Sequence, residues 1–356
     1  HGGTSLSPYR HARLVGLLER RLSEIRTSVE DRADRGVPRD THGDLHLDHV
    51  YLFPDEPPPH DLVVIDCSEF NQRFRYADPV ADMAFVVMDL VRHGRRDLAD
   101  AFAEAYFEAA GDRDGERLLP FYVAYRAAVR GKVRGMAACE EEVPEPERAV
   151  AVAEARAHWL LCLSELEEPA RRPCLVLVGG LPGTGKSTLA AELARRAGLQ
   201  VVSSDRVRKE LAGKAPDEGA AADFAEGIYT PEWNDRTYAA CLERARETIL
   251  GGGRVLVDAS FREDSRRSDF LDAADALGVR SIFLECSAEP ETIRERLAGR
   301  DGHGSDADWS IYLRAAEVWE PISERTGRAY RVIGTEGPLV ESVDSACSHL
   351  TAAGVL

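Results

Sequence analysis

The hydrophobic rhythm of the chain changes near residue 170. Before that point, apolar residues recur every three or four positions. Leu14, Leu17, Leu18, Leu22 and Ile25 form a stripe among Arg and Glu that predicts an amphipathic helix over about 8–30. Met83, Val87, Leu90 and Val91 predict another from Asp78 onward, with further helical stretches at about 95–110, 116–138 and 145–166. Between the first two helices lie THGDLHLDHVYLF, the proline-rich PDEPPPHD and the apolar LVVID, which read as loop, short strand, turn and short strand. The first half is thus a small β-hairpin set in a helical body.

The segment ELEEPARRP (165–173) is charged and broken by two prolines, the composition of a domain linker. Beyond it the pattern alternates. Strands CLVLVGG, LQVVS, RVLVDA, VRSIFLEC and AYRVIG are interleaved with helices from Lys186 and over 232–250, 263–277, 288–298, 308–319 and 337–350. Such alternation predicts a parallel sheet flanked by helices. Two domains follow, 1–168 and 169–356.

The strongest chemical signal sits between the first of these strands and its helix. Gly180-Leu-Pro-Gly183-Thr184-Gly185-Lys186-Ser187-Thr188 fits G-x-x-x-x-G-K-[ST] at every fixed position, as in a P-loop. Glycines let the backbone wrap a phosphate with its N–H groups inward and a helix N-terminus behind. In such a loop Gly180, Gly183, Thr184, Gly185, Lys186, Ser187 and Thr188 cradle the ATP phosphates, with Lys186 on the β/γ-phosphates and the Ser187 hydroxyl on Mg²⁺.

After the next strand comes SSDRVRK. Asp205 is placed to accept the proton of a substrate hydroxyl, or else to cap the following helix, and Arg208 one turn later to bind a substrate anion. VLVD ends on Asp258, a position suited to support Mg²⁺ or a bound water, or else a plain strand-terminal acid, and Arg262 follows in the loop, where it is a candidate to face the acceptor. The segment from Arg294 through Arg296 to Arg300-Asp-Gly-His-Gly suits a lid that brings an Arg to the transferring phosphoryl group, and Arg300, nearest the glycines, is the first choice.

Composition narrows the function. A net charge of -17 opposes binding to long nucleic acids or anionic membranes, which rests on neutralising phosphates with basic residues. No apolar run approaches the ~18–20 residues that span a bilayer. Seven scattered cysteines without C-x-x-C spacing read as small buried hydrophobes in a reducing cytoplasm. The chain starts at His1 rather than Met and reads as a fragment or a processed product. Basic residues are nearly all Arg; Lys occurs only at 132, 186, 209 and 214.

Taken together, GGLPGTGKST, SSDRVRK, VLVDASFRE and the lid segment resemble the AAA-type and zeta-toxin-like predicted kinases among the P-loop small-molecule kinases, over about 172–356. The relatives of that branch include gluconate and shikimate kinases, polynucleotide 5′-hydroxyl kinases and zeta toxins. The resemblance implies phosphate transfer from ATP to a hydroxyl.

In the first half, His42-Gly43-Asp44-Leu45-His46 followed by a strand and Val-Val-Ile-Asp66 resembles the catalytic and metal-binding loops of the aminoglycoside phosphotransferase family. That likeness implies a catalytic Asp44 and a Mg²⁺-binding Asp66, with Asp78 and Asp82 structural. With EFNQRFRYADPVADMAF, the whole chain resembles two-domain bacterial proteins in which such a domain precedes a P-loop kinase.

Two departures stand out. His49 occupies the place of the family's metal-binding Asn. In addition, only ~40 residues precede the loop, with no Lys for the nucleotide-covering lobe that a complete kinase of this kind needs. The first domain therefore reads as a protein-kinase-like C-terminal lobe, mostly helical and without transfer activity of its own. The basic stripe of Arg126, Arg130 and Arg134 reads as a solvated helix face.

The expected protein is a cytoplasmic α/β kinase that uses ATP and Mg²⁺ and a small-molecule hydroxyl acceptor, sugar-like or another metabolite. The alternatives are a kinase of nucleic-acid 5′-ends or nucleotide sugars, as in zeta toxins, and a binding module gated by ATP hydrolysis.

Overall fold

The structure, a computed structural model of the chain, describes residues 6–69, 75–215, 230–299 and 309–356. It divides into two compact units. One runs from the start to Glu167 and the other from Glu168 to Leu356, with Asp275–Gly278 grouping with the first.

In the first unit the long helix α1 (Pro8–Asp34) is followed by α2 (Pro79–Arg92), α3 (Arg96–Ala110), α4 (Leu119–Ala137) and α5 (Glu145–Leu166). Its core gathers Val80, Met83, Ala84, Val87 and Met88 of α2 with Val123 and Ala127 of α4 and Leu161 of α5. Two antiparallel ribbons accompany the helices. The strand β1 (Arg39–Asp40) pairs with β4 (Tyr76–Ala77), and β2 (Val50–Leu52) pairs with β3 (Leu62–Val64). The first ribbon carries no periodic signal in sequence because it is two residues long.

A buried ion cluster fixes where α1 ends and α2 begins. Arg32 is 2% exposed and grips the Asp78 carboxylate at 2.7 and 3.0 Å and the Asp112 carboxylate at 2.6 and 2.7 Å. Asp78 also caps α2 through the Val80 N–H, and Asp112 accepts the Gly115 N–H. Its hydrogen bond to Arg32, despite partial burial, holds the Asp112 carboxyl below the ordinary value of 3.8.

Two expectations change here and one is sharpened. The stripe on α4 is not a solvated face. Arg126 lies 4.1 Å from the ring centroid of Phe85 and donates to the Ala81 carbonyl, and Arg134 pairs with Glu154. The units divide within 165–173, between Glu167 and Glu168, and the acids at its start are buried: α5 continues to Leu166, and Glu165 and Glu167 lie against Arg96 and Arg13. Charged composition does not by itself tell solvated acids from acids with buried partners. Finally, Cys139 is exposed and Cys67 and Cys347 are half-buried, so only four of the seven free cysteines are core residues.

The second unit is a five-stranded parallel sheet in the order β6-β7-β5-β8-β9, made of β5 (Cys174–Gly179), β6 (Gln200–Ser203), β7 (Arg254–Asp258), β8 (Arg280–Ser287) and β9 (Tyr330–Gly334). Every residue of β5 and β7 is buried. The helices are α6 (Lys186–Ala197), α7 (Ser204–Leu211), α8 (Pro231–Leu250), α9 (Asp264–Ala276), α10 (Pro290–Ala298), α11 (Trp309–Glu317) and α12 (Leu339–Ala352). Leu189, Leu193 and Ala197 of α6 and Val343, Ala346 and Leu350 of α12 pack on Val176, Val178, Ile282 and Leu284. Among the described residues, no helix is long and apolar enough to cross a membrane.

Removing one partner of a buried, fully hydrogen-bonded ion cluster strands the others. Arg32→Ala is therefore expected to cost the first unit about 3 kcal/mol in urea unfolding. The share of Asp112 is complete above pH 3.8 and lost as pH falls below it, so wild type and variant should converge in acid. Unfolding curves that coincide at pH 7 would remove Arg32 as an anchor.

Candidate active site

The strand order places a switch point at β5, whose neighbours β7 and β8 lead away to opposite sides; ligands of open parallel sheets bind at such carboxyl ends. The chain turns there from β5 into α6 through the glycine loop. Gly180 has φ +139°, and a Cβ on it would lie 2.6 Å from the Cys286 carbonyl oxygen. Gly183 has φ +84°, and a Cβ there would lie 2.7 Å from the Ile293 side chain. Both positions require glycine on conformation and on space.

The turn is closed by the Thr184 hydroxyl, which donates to the Leu181 carbonyl at 2.8 Å, and Lys186 Nζ reaches the same carbonyl at 3.5 Å. Thr335, after β9, donates to the Thr184 carbonyl at 2.7 Å and supports the loop from outside.

Register brings the second carboxylate to this loop. Asp258 is paired with Val178 of β5 on one side and Ser203 of β6 on the other. It is 6% exposed, Ser187 is hydrogen-bonded to it, and its Oδ1 is buried without a hydrogen-bond partner among the described residues. Burial pushes its carboxyl above the ordinary range, the charge of Lys186 and the Ser187 hydroxyl pull it down, and the charge of Asp205 adds to the upward push. A buried carboxylate oxygen with nothing to accept from, beside a hydroxyl, is a donor set that fits a hard divalent cation.

Asp205 is the second residue of α7, two past the end of β6, and its carboxylate is 3.2 Å from Lys209 Nζ. The cap position belongs to Ser203, so Asp205 does not serve as the N-cap. Lys186, Ser187 and Asp205 are each within electrostatic reach of Asp258. Arg208 is buried on α7. Arg262 pairs with the adjacent Glu263 at 3.0 Å and follows Phe261, whose φ of +50° is rare for an aromatic residue. That conformation is held by the Tyr238 hydroxyl, which accepts the Phe261 N–H, and by Arg267, which donates to the Phe261 carbonyl at 2.6 Å.

Arg300 lies outside the described residues. A different arginine of the same segment faces the loop. Arg296 donates to the Thr335 carbonyl, its Nη1 is buried without a hydrogen-bond partner among the described residues, and that atom would lie 3.7 Å from a Cβ on Gly185. It borders a cavity of about 410 Å³ lined also by Gly183, Gly185, Thr188 and Thr335. Helical spacing carried the clue, since Ile293 and Leu297 flank Arg296 and close on Gly183. Lys209 and Thr335 were missed: the i, i+4 spacing of Asp205 and Lys209 was the available signal for the first, and Thr335 belongs to no recognisable spacing.

In the first unit the HGD loop lies against α2. Asp82 accepts the N–H groups of His42 and Gly43 at 2.8 and 3.1 Å, and Asp89 accepts that of Leu47 at 2.9 Å. Asp44 and Asp66 meet around His46 and His49. Burial, followed by the charge of His49, lowers the His46 pKa below 6.5.

Comparison with known proteins bears on both units. Residues 175–318 match the family described as AAA domain. An uncharacterised protein of Mycobacterium tuberculosis strain H37Rv is 34% identical over 315 residues, covering 88% of this chain and 60% of that relative. The similarity is too long for either unit alone, and the chain spans about three fifths of the relative's length. A shikimate kinase of Corynebacterium glutamicum is 36% identical over 120 residues, 32% of this chain and 67% of the enzyme. The crystal structure of a gluconokinase from Sinorhizobium meliloti 1021 is similar with a TM-score of 0.38 at 23% identity, over 52% of this chain and 95% of that one.

Because Asp258 carries an uncompensated burial penalty, Asp258→Asn is expected to leave the ligand-free protein at least as stable as wild type. A raised carboxyl pKa means that stability falls as pH rises through it, so any gain should appear at neutral pH and vanish in acid. Thermal unfolding without divalent cations tests this, and a markedly lower Tm would make Asp258 a structural residue.

Proposed function

The second domain is a P-loop kinase domain of the AAA type, and on that premise we propose that it transfers the γ-phosphoryl group of ATP to a hydroxyl of a small molecule. The observation that carries this reading is the buried Asp258 oxygen without a partner beside Ser187, directly under a complete P-loop.

In this reading the backbone of Gly183 to Ser187 wraps the phosphates and Lys186 reaches the β/γ-phosphates. Ser187 and Asp258 would hold Mg²⁺, which neutralises charge on the β- and γ-phosphates when bound. Asp205 accepts the proton of the acceptor hydroxyl as its oxygen forms a bond to the γ-phosphorus and the bond from that phosphorus to the β–γ bridging oxygen breaks. The Lys209 ammonium keeps the Asp205 carboxylate oriented. Arg208 and Arg262 serve an anionic or polar acceptor, and Arg296, with an unspent donor toward the cavity, takes the role of nucleotide-binding Arg. The shikimate kinase relative favours a small polyhydroxylated acceptor over a nucleic-acid end or a nucleotide sugar. The net charge of -17 points the same way.

The first domain keeps the HGD loop and Asp66 that resemble aminoglycoside phosphotransferases, with His49 in place of Asn. We read its loop as retained scaffold rather than a second transferase.

ATP with Mg²⁺ at 100 times Kd should stabilise the second domain by ~2.7 kcal/mol, and Lys186→Ala should remove most of that shift. An undiminished shift in the variant would dissociate nucleotide binding from the P-loop.

With an acceptor in hand, Asp205→Asn should lower kcat by ~10²–10⁴-fold while the nucleotide-induced shift stays close to wild type. Equal loss of both would make Asp205 part of the nucleotide site. Free phosphate without a phosphorylated product, across a panel of small polyols and hydroxy acids, would favour the ATP-gated binding module.

A further inference from the structure

The first domain carries a donor cluster that phosphoryl transfer in the second domain does not use. One donor atom each from Asp44, His46 and His49 lies within 4.8 Å of the others, and the two imidazole centroids are 3.8 Å apart. His49 is oriented by the backbone. Its Nδ1 is 3.0 Å from the Asp44 carbonyl oxygen, an acceptor only, so Nδ1 carries the proton and Nε2 keeps its lone pair in the neutral ring.

That lone pair faces Asp66 Oδ2 at 3.3 Å. Two acceptors so close call for a cation shared between them, a proton or a metal ion. Donors at 2.0–2.1 Å from a tetrahedral metal stand about 3.4 Å from one another, the spacing this pair presents.

His46 supplies a second, independent indication. It is 6% exposed, its Nδ1 faces Asp48 Oδ2 at 3.4 Å without a hydrogen bond among the described residues, and its Nε2 stands 3.7 Å from Asp44 Oδ2. A buried imidazole with unspent capacity is costly unless something binds it. The frame around the cluster is fixed: Asp82 and Asp89 hold the loop backbone on α2, the Ile65 N–H donates to the His49 carbonyl, and Asp66 is held at φ +62°. Backbone carbonyls and carboxylates that lock an imidazole tautomer are the outer support metal sites use.

We propose that Asp44, His46, His49 and Asp66 bind one divalent transition-metal ion of the zinc class. The donor set does not suit Mg²⁺, which takes oxygen ligands in a near-octahedral shell and keeps its waters, whereas imidazole suits zinc and its neighbours. Two carboxylates and two neutral imidazoles balance a 2+ charge. The half-exposed Asp44 and the exposed Asp66 leave a solvent path for the ion. The site is independent of the kinase reading, since none of its donors belongs to the P-loop domain.

The test is a titration of the full chain, free of nucleotide, with Co²⁺ alone as a spectroscopic stand-in for Zn²⁺. One equivalent should bind with the visible d–d absorption of a four- or five-coordinate ion, be displaced by Zn²⁺ and survive millimolar Mg²⁺. His46→Ala and His49→Ala should each raise Kd by at least ~10-fold, and His49→Gln, which keeps a donor for the Asp44 carbonyl, should do the same. All three variants should keep the wild-type circular dichroism and urea unfolding of the first domain, which establishes that it is folded, and the wild-type thermal shift with ATP and Mg²⁺, which separates this result from the fate of the P-loop reading. Absence of Co²⁺ absorption at micromolar metal, undiminished binding in the histidine variants, displacement by Mg²⁺, or a thiolate charge-transfer band that vanishes only in Cys139→Ser would each overturn the proposal.

Discussion

Parallel pairing of the buried strand β5 with β7 and β8 is the constraint on which the second domain's chemistry depends. The pairing Val178 with Asp258 sets a carboxylate level with the last turn of β5 before the glycine loop, and Ser203 with Asp258 brings the start of α7 to the same edge. Side chains alternate between the two faces of a strand, so a slip of one residue would send Asp258 to the other side of the sheet. Val255 to Val257, which precede it on β7, are fully buried, so Asp258 is the first polar side chain that the strand brings to this edge. The site is thereby assembled by packing, and the cost of burying Asp258 is borne by the hydrophobic strands that carry it.

A second theme is how the chain divides work between its two kinds of cation. Arginine does the internal joinery. Arg267, with 0% exposure, donates to the carbonyls of Phe261, Arg262, Glu320 and Pro321, and Arg254 donates to those of Pro169, Arg172 and Val355. A planar fork of five donors suits such cages of carbonyl oxygens. Lysine is scarce, and two of its four positions, Lys186 and Lys209, are at the candidate site. A compact ammonium on a flexible stem suits a phosphate or a carboxylate that must be met at a point.

The first domain follows a related logic with carboxylates. Asp78, Asp82 and Asp89 lie along one helix and serve, respectively, the Arg32 cluster, the N–H groups of His42 and Gly43, and the N–H of Leu47. Acids that hold backbone N–H groups keep a loop in one conformation, and the loop so held is the one that carries Asp44, His46 and His49. Positioning is thus concentrated on α2, and the reactive groups lie on the loop it supports.

The amino-acid sequence by itself determined the α/β alternation of the second half, the helical body of the first and the P-loop. Period and spacing are local properties, and Gly180 to Ser187 are contiguous. It also carried Asp258 as a strand-terminal acid, because an apolar run ending in a carboxylate is visible without a fold. Only the tertiary structure decided that Arg296 faces the loop, that Arg126 packs on Phe85, that Glu165 and Glu167 are buried, and that Asp66 meets His49. Each of these depends on which residue stands opposite across a gap of many positions in the chain. Helical period names the candidates for one face, and packing against distant residues chooses among them.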